Sequence, residues 1–178
     1  KNSVQLNSRC VLVDLGKLHG QKTSETKVTD GSIIYLGDLI SSPFKGKINE
    51  FTNWLKSSKG NFNGIYYSES TVLVFGSIFN ALPLFYTQDD NKLVISDQIK
   101  NLIPYVRETN IDDTHFLARI LFNYTLTNRT CVPGIKQLPV NSFLRLEENR
   151  FEFDKHTEIS DSFQNSPTPF NKCLDGLA

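Results

Sequence analysis

Leu84-Phe85-Tyr86-Thr87-Gln88-Asp89-Asp90-Asn91-Lys92-Leu93-Val94-Ile95-Ser96 is the stretch on which the reading of this chain turns. Two β-rich runs flank a polar turn whose Asp and Asn residues tolerate positive φ, so it predicts an antiparallel hairpin. Two further stretches have the same form. Residues 62–67 and 72–75 flank Ser68-Glu69-Ser70, and residues 142–146 and 150–153 flank Glu147-Glu148-Asn149. Three hairpins in one chain predict sheets built mainly antiparallel. Upstream, residues 10–15 and 32–36 are nearly continuous apolar runs, the pattern of strands covered on both faces, and are expected inside a sheet.

Helical spacing interrupts the strands three times. Residues 48–55 place Ile48, Phe51, Trp54 and Leu55 on one face. Residues 112–122 have Asp112 or Asp113 as a capping residue and Phe116, Leu117, Ile120 and Leu121 on one stripe. A shorter segment begins near Asp97, runs through Ile99 and Leu102, and is expected to stop at Pro104. Beyond Glu158 the chain is polar and turn-rich, with Pro167 and Pro169. Residues 1–158 are therefore expected to form the domain and residues 159–178 a linker.

With 178 residues, 39% of them hydrophobic and 21% charged, the chain can bury a core of its own. Nineteen acidic residues balance nineteen Lys plus Arg. That balance lacks the clustered positive charge that nucleic acid or an anionic membrane would need, so neither is an expected partner. No apolar run approaches the ~20 residues of a spanning helix, and the first residues lack a secretory pattern, which leaves a cytoplasmic location as the default. Cys10, Cys131 and Cys173 are far apart, odd in number and without CxxC spacing, and so predict neither a zinc site nor a disulfide framework. His19, His115 and His156 are scattered, no phosphate-binding glycine loop exists, and no cofactor or metal is expected.

From Gly60 onward the motifs resemble, in order, those of the class II glutamine amidotransferase domain that precedes the ATP-using domain of asparagine synthetases. Gly60-Asn61-Phe62-Asn63 is similar to the family's G-x-F-A strand. Asn80-Ala81-Leu82-Pro83-Leu84-Phe85-Tyr86 resembles G-v-k-P-L-y-Y, and Leu93 to Leu102 resembles l-x-f-A-S-E-i-K-a-L. Thr127 through Gly134-Ile135-Lys136-Gln137-Leu138-Pro139 is similar to the stretch t-x-x-x-G-I-k-x-L-p. The region covered, residues 60–155, is a little over half the chain. The resemblance implies an α+β fold, the four-layer αββα sandwich of two mainly antiparallel sheets found in N-terminal-nucleophile (Ntn) hydrolases.

The same resemblance implies where chemistry would lie. The family uses an N-terminal Cys, with its own α-amino group as base, to attack the side-chain amide of glutamine. Lys1 cannot do this, and Cys10 could only after removal of the nine residues before it; otherwise Cys10 reads as a buried structural thiol. The family's N-G-E segment supplies oxyanion donors, and Leu36-Gly37-Asp38 matches it by position with a leucine where the donor amide should be. Loss of one such donor costs about a hundred- to thousandfold in rate. The family's R-D pair before G-v-k-P-L is replaced by Gly76-Ser77, Arg9 stands alone, and Glu50 lacks the family's surrounding pattern.

Three readings follow. The first is an amidotransferase-like domain without catalysis, serving as scaffold or docking surface for a synthetase-like ATP-binding domain in the same or another polypeptide. The second is an active glutamine amidohydrolase with Cys10, or a Cys preceding Lys1, as nucleophile. The third is a binding module that uses the pocket near Gly37 for glutamine or a peptide.

Overall fold

The structure is a computed structural model and describes residues 3–7, 10–13, 23–77, 82–89, 92–122, 127–147 and 150–155. In chain order the elements are β1 (Ser3–Asn7), β2 (Cys10–Val13), β3 (Thr23–Val28), β4 (Gly31–Leu39), α1 (Phe51–Ser57), β5 (Gly60–Tyr67), β6 (Thr71–Gly76), β7 (Phe85–Gln88), β8 (Leu93–Ser96), α2 (Ile99–Leu102), α3 (Asp113–Phe122), β9 (Lys136–Gln137), β10 (Ser142–Glu147) and β11 (Arg150–Lys155). A 3-10 turn, Ile48–Glu50, leads into α1, and another, Ile103–Tyr105, follows α2. No helix among the described residues is long and apolar enough to cross a membrane. The linker expected at residues 159–178, His19, His156, Cys173, Arg9 and the end of the run at residues 10–15 lie outside the described residues.

All three expected hairpins form, as β5–β6, β7–β8 and β10–β11, each antiparallel. They are shared between two sheets. One has the order β1-β2-β8-β7-β9 and the other β11-β10-β6-β5-β4-β3. Among these pairings only β2 with β8 is parallel, with Cys10 opposite Leu93 and Leu12 opposite Ile95. β2 and β4 both lie inside their sheets, as their apolar runs predict.

Each sheet contributes one face to a shared core. Leu36, Ile65 and Val74 of the six-stranded sheet pack with Cys10, Tyr86 and Ile95 of the five-stranded one. The outer face of the six-stranded sheet meets α1, where Phe51 and Leu55 are buried against Tyr35, Phe62 and Phe75. Burying two such side chains contributes about 1.5–3 kcal/mol each. The rings meet edge-on, as Phe51 with Phe75 at 4.7 Å and Phe44 with Phe51 at 5.3 Å, and the buried Tyr35 hydroxyl accepts a hydrogen bond from the Phe44 amide at 3.0 Å. Gly64 is required here, because a Cβ would run into the Phe75 ring on the neighbouring strand. On the far side, Leu102 of α2 packs with Val94 and Ile135 against the five-stranded sheet. The layers are thus helix, sheet, sheet, helix: an α+β sandwich of two mainly antiparallel sheets, as expected.

Pro104 ends α2 as expected: the next helical bond would need its N–H, so α2 stops at Leu102 and the proline sits in the separate 3-10 turn Ile103–Tyr105. One local reading needs correction. The stripe of α3 does not face the core. Phe116, Leu117, Ile120 and Leu121 are 44% to 71% exposed, and the sides turned inward are those of His115 and Ala118. Polar anchors set this orientation. Asp112 caps the helix by accepting the His115 amide at 3.1 Å, its own amide donates to the Cys131 carbonyl at 2.9 Å, and His115 Nε2 lies 3.3 Å from Thr127 Oγ1.

Candidate functional site

β4 carries Leu36, Gly37 and Asp38 toward one end of the sandwich, opposite Asn63, Phe62 and Asn61 of β5. Leu36 is buried in the core between the sheets, where its side chain offers no hydrogen bond donor. Asp38 is exposed. Gly37 has φ 98°, a region that L side chains avoid. A Cβ at Gly37 would collide with the Leu82 side chain and with the Asn61 carbonyl oxygen, 2.5 Å away. Leu82, just ahead of β7, therefore lies against Gly37.

A residue the sequence reading passed over occupies the same corner. Asn63 is 0% exposed, and its Nδ2 donates to the Leu82 carbonyl. Its Oδ1 is buried with no hydrogen bond partner. The signal was available as an amide within the apolar run Phe62 to Tyr67, but the likeness to G-x-F-A absorbed it. Buried Ser77 closes the corner: its amide donates to the Phe62 carbonyl at 2.8 Å and its hydroxyl accepts the Phe62 amide at 3.4 Å.

Cys10 is not in this corner. It pairs with Leu93 at the start of β8, whereas Leu82 precedes Phe85, which pairs with Ser96 at the end of β8. Leu6, beside Cys10 across the β1–β2 hairpin, lines an open cleft of about 1170 Å³ with Gly31, Ser32 and the turn Ser68-Glu69-Ser70. Gly31 and Gly37 are six residues apart along β4, about 20 Å at ~3.3 Å per residue. The thiol and the Gly37 corner thus sit at opposite ends of the sandwich. Burial pushes the Cys10 thiol up to about 12, so at neutral pH it is neither ionised nor nucleophilic.

The cleft at the Cys10 end carries Lys27, Asp30, Glu69 and Glu147 along its rim, a mixed set of charges without convergence on one point. Around His115 the geometry is closer to a relay, because Nδ1 lies 2.9 Å from Asp112 Oδ2 and Nε2 faces Thr127 Oγ1. The same groups are engaged in anchoring α3: Asp112 is its cap and Thr127 Oγ1 also accepts the Arg129 amide at 3.2 Å. The hydrogen bonds from the His115 side chain and amide hold the Asp112 carboxyl below its ordinary range.

Neither a protein-family model nor a curated protein sequence matches the chain. Among solved structures, it is similar to the glutamine phosphoribosylpyrophosphate amidotransferase from B. subtilis complexed with ADP and GMP, at 11% identity and a TM-score of 0.45. That alignment covers 76% of this chain and 31% of the amidotransferase, so the chain spans under a third of that protein's length.

Proposed function

We propose that this chain is an amidotransferase-like domain, related to those of asparagine synthases, that does not hydrolyse glutamine. Its role is to serve as a scaffold or docking domain for an ATP-dependent amide-forming domain, in the same polypeptide or a separate one. The observation that carries the reading is the closed corner at Gly37. Leu36 brings carbon where the family's donor would be needed, the Leu82 side chain lies against Gly37 and fills the corner, and Cys10 pairs with Leu93 at the other end of β8. A fold of this kind keeps its core for stability whether or not it retains chemistry.

The test is glutamate release from glutamine by the purified chain, together with intact mass after incubation with the glutamine analogue 6-diazo-5-oxonorleucine. The expected result is no release above buffer and no adduct. A covalent adduct on a cysteine, or turnover abolished by Cys10→Ser, would establish the amidohydrolase reading instead. Leu36→Asn, which restores the family's donor, is expected to leave glutamate release at background, because no nucleophile faces that corner.

A further inference from the structure

β3 is the last strand of the six-stranded sheet, and among the described residues no strand pairs with its outer edge. We propose that this edge pairs antiparallel with the β3 edge of a second copy of the chain, about a two-fold axis at Thr26, so that Glu25 of each copy faces Lys27 of the other. The proposal does not depend on the amidotransferase-like reading of the fold.

The hairpin decides which backbone groups are available. β3 and β4 pair without a break from Thr23 with Leu36 to Val28 with Gly31, across the two-residue turn Thr29-Asp30. The closing pair, Val28 and Gly31, exchanges both hydrogen bonds. Alternation then points the N–H and C=O of Ser24 and Thr26 at β4, and those of Thr23, Glu25 and Lys27 outward. Two such edges join only where outward residues meet outward residues. An axis at Glu25 would set carboxylate against carboxylate, one at Lys27 ammonium against ammonium, and one at Ser24 would leave Lys27 outside the paired strands. The axis at Thr26 sets Glu25 against Lys27 twice, as hydrogen-bonded pairs, with the two Thr26 residues side by side at the centre. Opposite charges and Thr–Thr pairs across strands are both favourable, and the arrangement is self-complementary as a two-fold interface requires.

The side chains support the same pairing. Glu25 and Lys27 stand opposite Ile34 and Ser32, and both are exposed. The Tyr67 hydroxyl donates to Glu25 Oε1 at 2.9 Å, which holds the carboxylate in place and leaves its second oxygen for a cation. Lys27 makes no ion pair among the described residues. A lysine on an edge discourages pairing when it would be left without an opposite charge. Here the two signs straddle Thr26, so a rotated copy of the same edge supplies that charge. Neither a proline nor a bulge interrupts β3, whereas the register of β1 is irregular between Gln5 and Asn7.

The paired segment is short, so the dimer is weak and depends on concentration. Sedimentation velocity and hydrogen exchange on the full chain, over ~1–500 µM protein, test this. A monomer–dimer equilibrium is expected in which the amides of Glu25 and Lys27 slow as dimer forms, while those of Ser24 and Thr26, bonded to β4, are slow throughout. Glu25→Lys is expected to weaken dimerisation about tenfold or more, because it sets like charges opposite each other on both sides of the axis. Adding Lys27→Glu to it reverses both charges and is expected to restore the dimer to within about threefold of wild type. A melting temperature near that of wild type shows that each variant is folded; where Glu25→Lys does not fold, Lys27→Glu alone is read in the same way. A chain that stays monomeric to the top of that concentration range overturns the proposal. So does a dimer that a folded Glu25→Lys leaves intact, because it would use another surface. So do Glu25 and Lys27 amides that are already slow in the monomer, because the chain would then cover this edge itself.

Discussion

Leu36 and Asn63 stand opposite each other in the β4–β5 ladder, both buried, and only Asn63 carries an amide. The position expected to bring a polar group to this end of the sandwich holds carbon, while a donor appears one strand away and is already spent on the Leu82 carbonyl. The corner is therefore held closed by its own hydrogen bond.

Asn63→Ala should open it. The substitution leaves the Leu82 carbonyl without its donor and creates a small void, at a cost of about 1–3 kcal/mol. The urea unfolding midpoint is expected to fall without a change in slope. An unchanged midpoint would mean that the Asn63–Leu82 bond contributes nothing to the fold.

Gly37 and Leu82 should show coupling. Gly37→Ala is expected to cost about 2–4 kcal/mol, part from placing a side chain at positive φ and part from the collision with Leu82. In a Leu82→Ala background the collision with Leu82 disappears, while the backbone strain and the close approach to the Asn61 carbonyl oxygen remain, so Gly37→Ala is expected to cost about 1 kcal/mol less there. Additive losses in the double-variant cycle would show that the two residues do not touch.

What could be read in advance was local. The three hairpins are written in period-2 runs and polar turns, and Phe51 and Leu55 in a helical stripe. β3 escaped because Thr23-Ser24-Glu25-Thr26-Lys27-Val28 is a mostly exposed edge strand with little apolar pattern to find. The parallel pairing of β2 with β8 joins residues more than eighty apart, which no local signal encodes. The stripe on α3 was legible as apolar, but a stripe does not say which way it faces; Asp112, His115 and Thr127 decide that through contacts between separate segments. At the site, Gly37 was found from its neighbours in sequence. Asn63 was missed because its role depends on the Leu82 carbonyl, nineteen residues away.

Alkaline pH should unfold the domain sooner than burial of apolar surface alone would suggest. Burial raises Tyr35 and Tyr86 from 10.0 to about 12 and Cys10 from 9.0 to about 12. In each case the folded state holds its proton more tightly than the unfolded chain does. Stability is therefore constant below pH ~9 and declines as pH rises from ~9 to ~12, as the unfolded groups ionise first. Tyr86 also has a buried hydroxyl without a hydrogen bond partner, so Tyr86→Phe removes an unsatisfied group. The variant is expected to match or exceed the wild-type melting temperature at pH 7 and to lose less of it between pH 9 and 11. A melting temperature at pH 7 reduced by several degrees would show that the hydroxyl has a partner that stabilises the fold.

Cysteine alkylation separates the structural thiol from a chemical one. In a Cys173→Ser background, iodoacetamide at pH 8 has two targets, half-buried Cys131 and buried Cys10. Burial raises the Cys10 thiol from 9.0 to about 12, which cuts its thiolate about a thousandfold at pH 8, and also shields it from the reagent, so Cys131 is expected to react at least a hundredfold faster in the folded protein. Denaturant should abolish the difference. Peptide mapping by mass after timed quenching reads both sites at once. If Cys10 reacted as fast as Cys131 under native conditions, the end of the sandwich at Leu6 and Gly31 would be open to small electrophiles. The cleft there, rather than the closed corner at Gly37, would then be the place to look for catalysis.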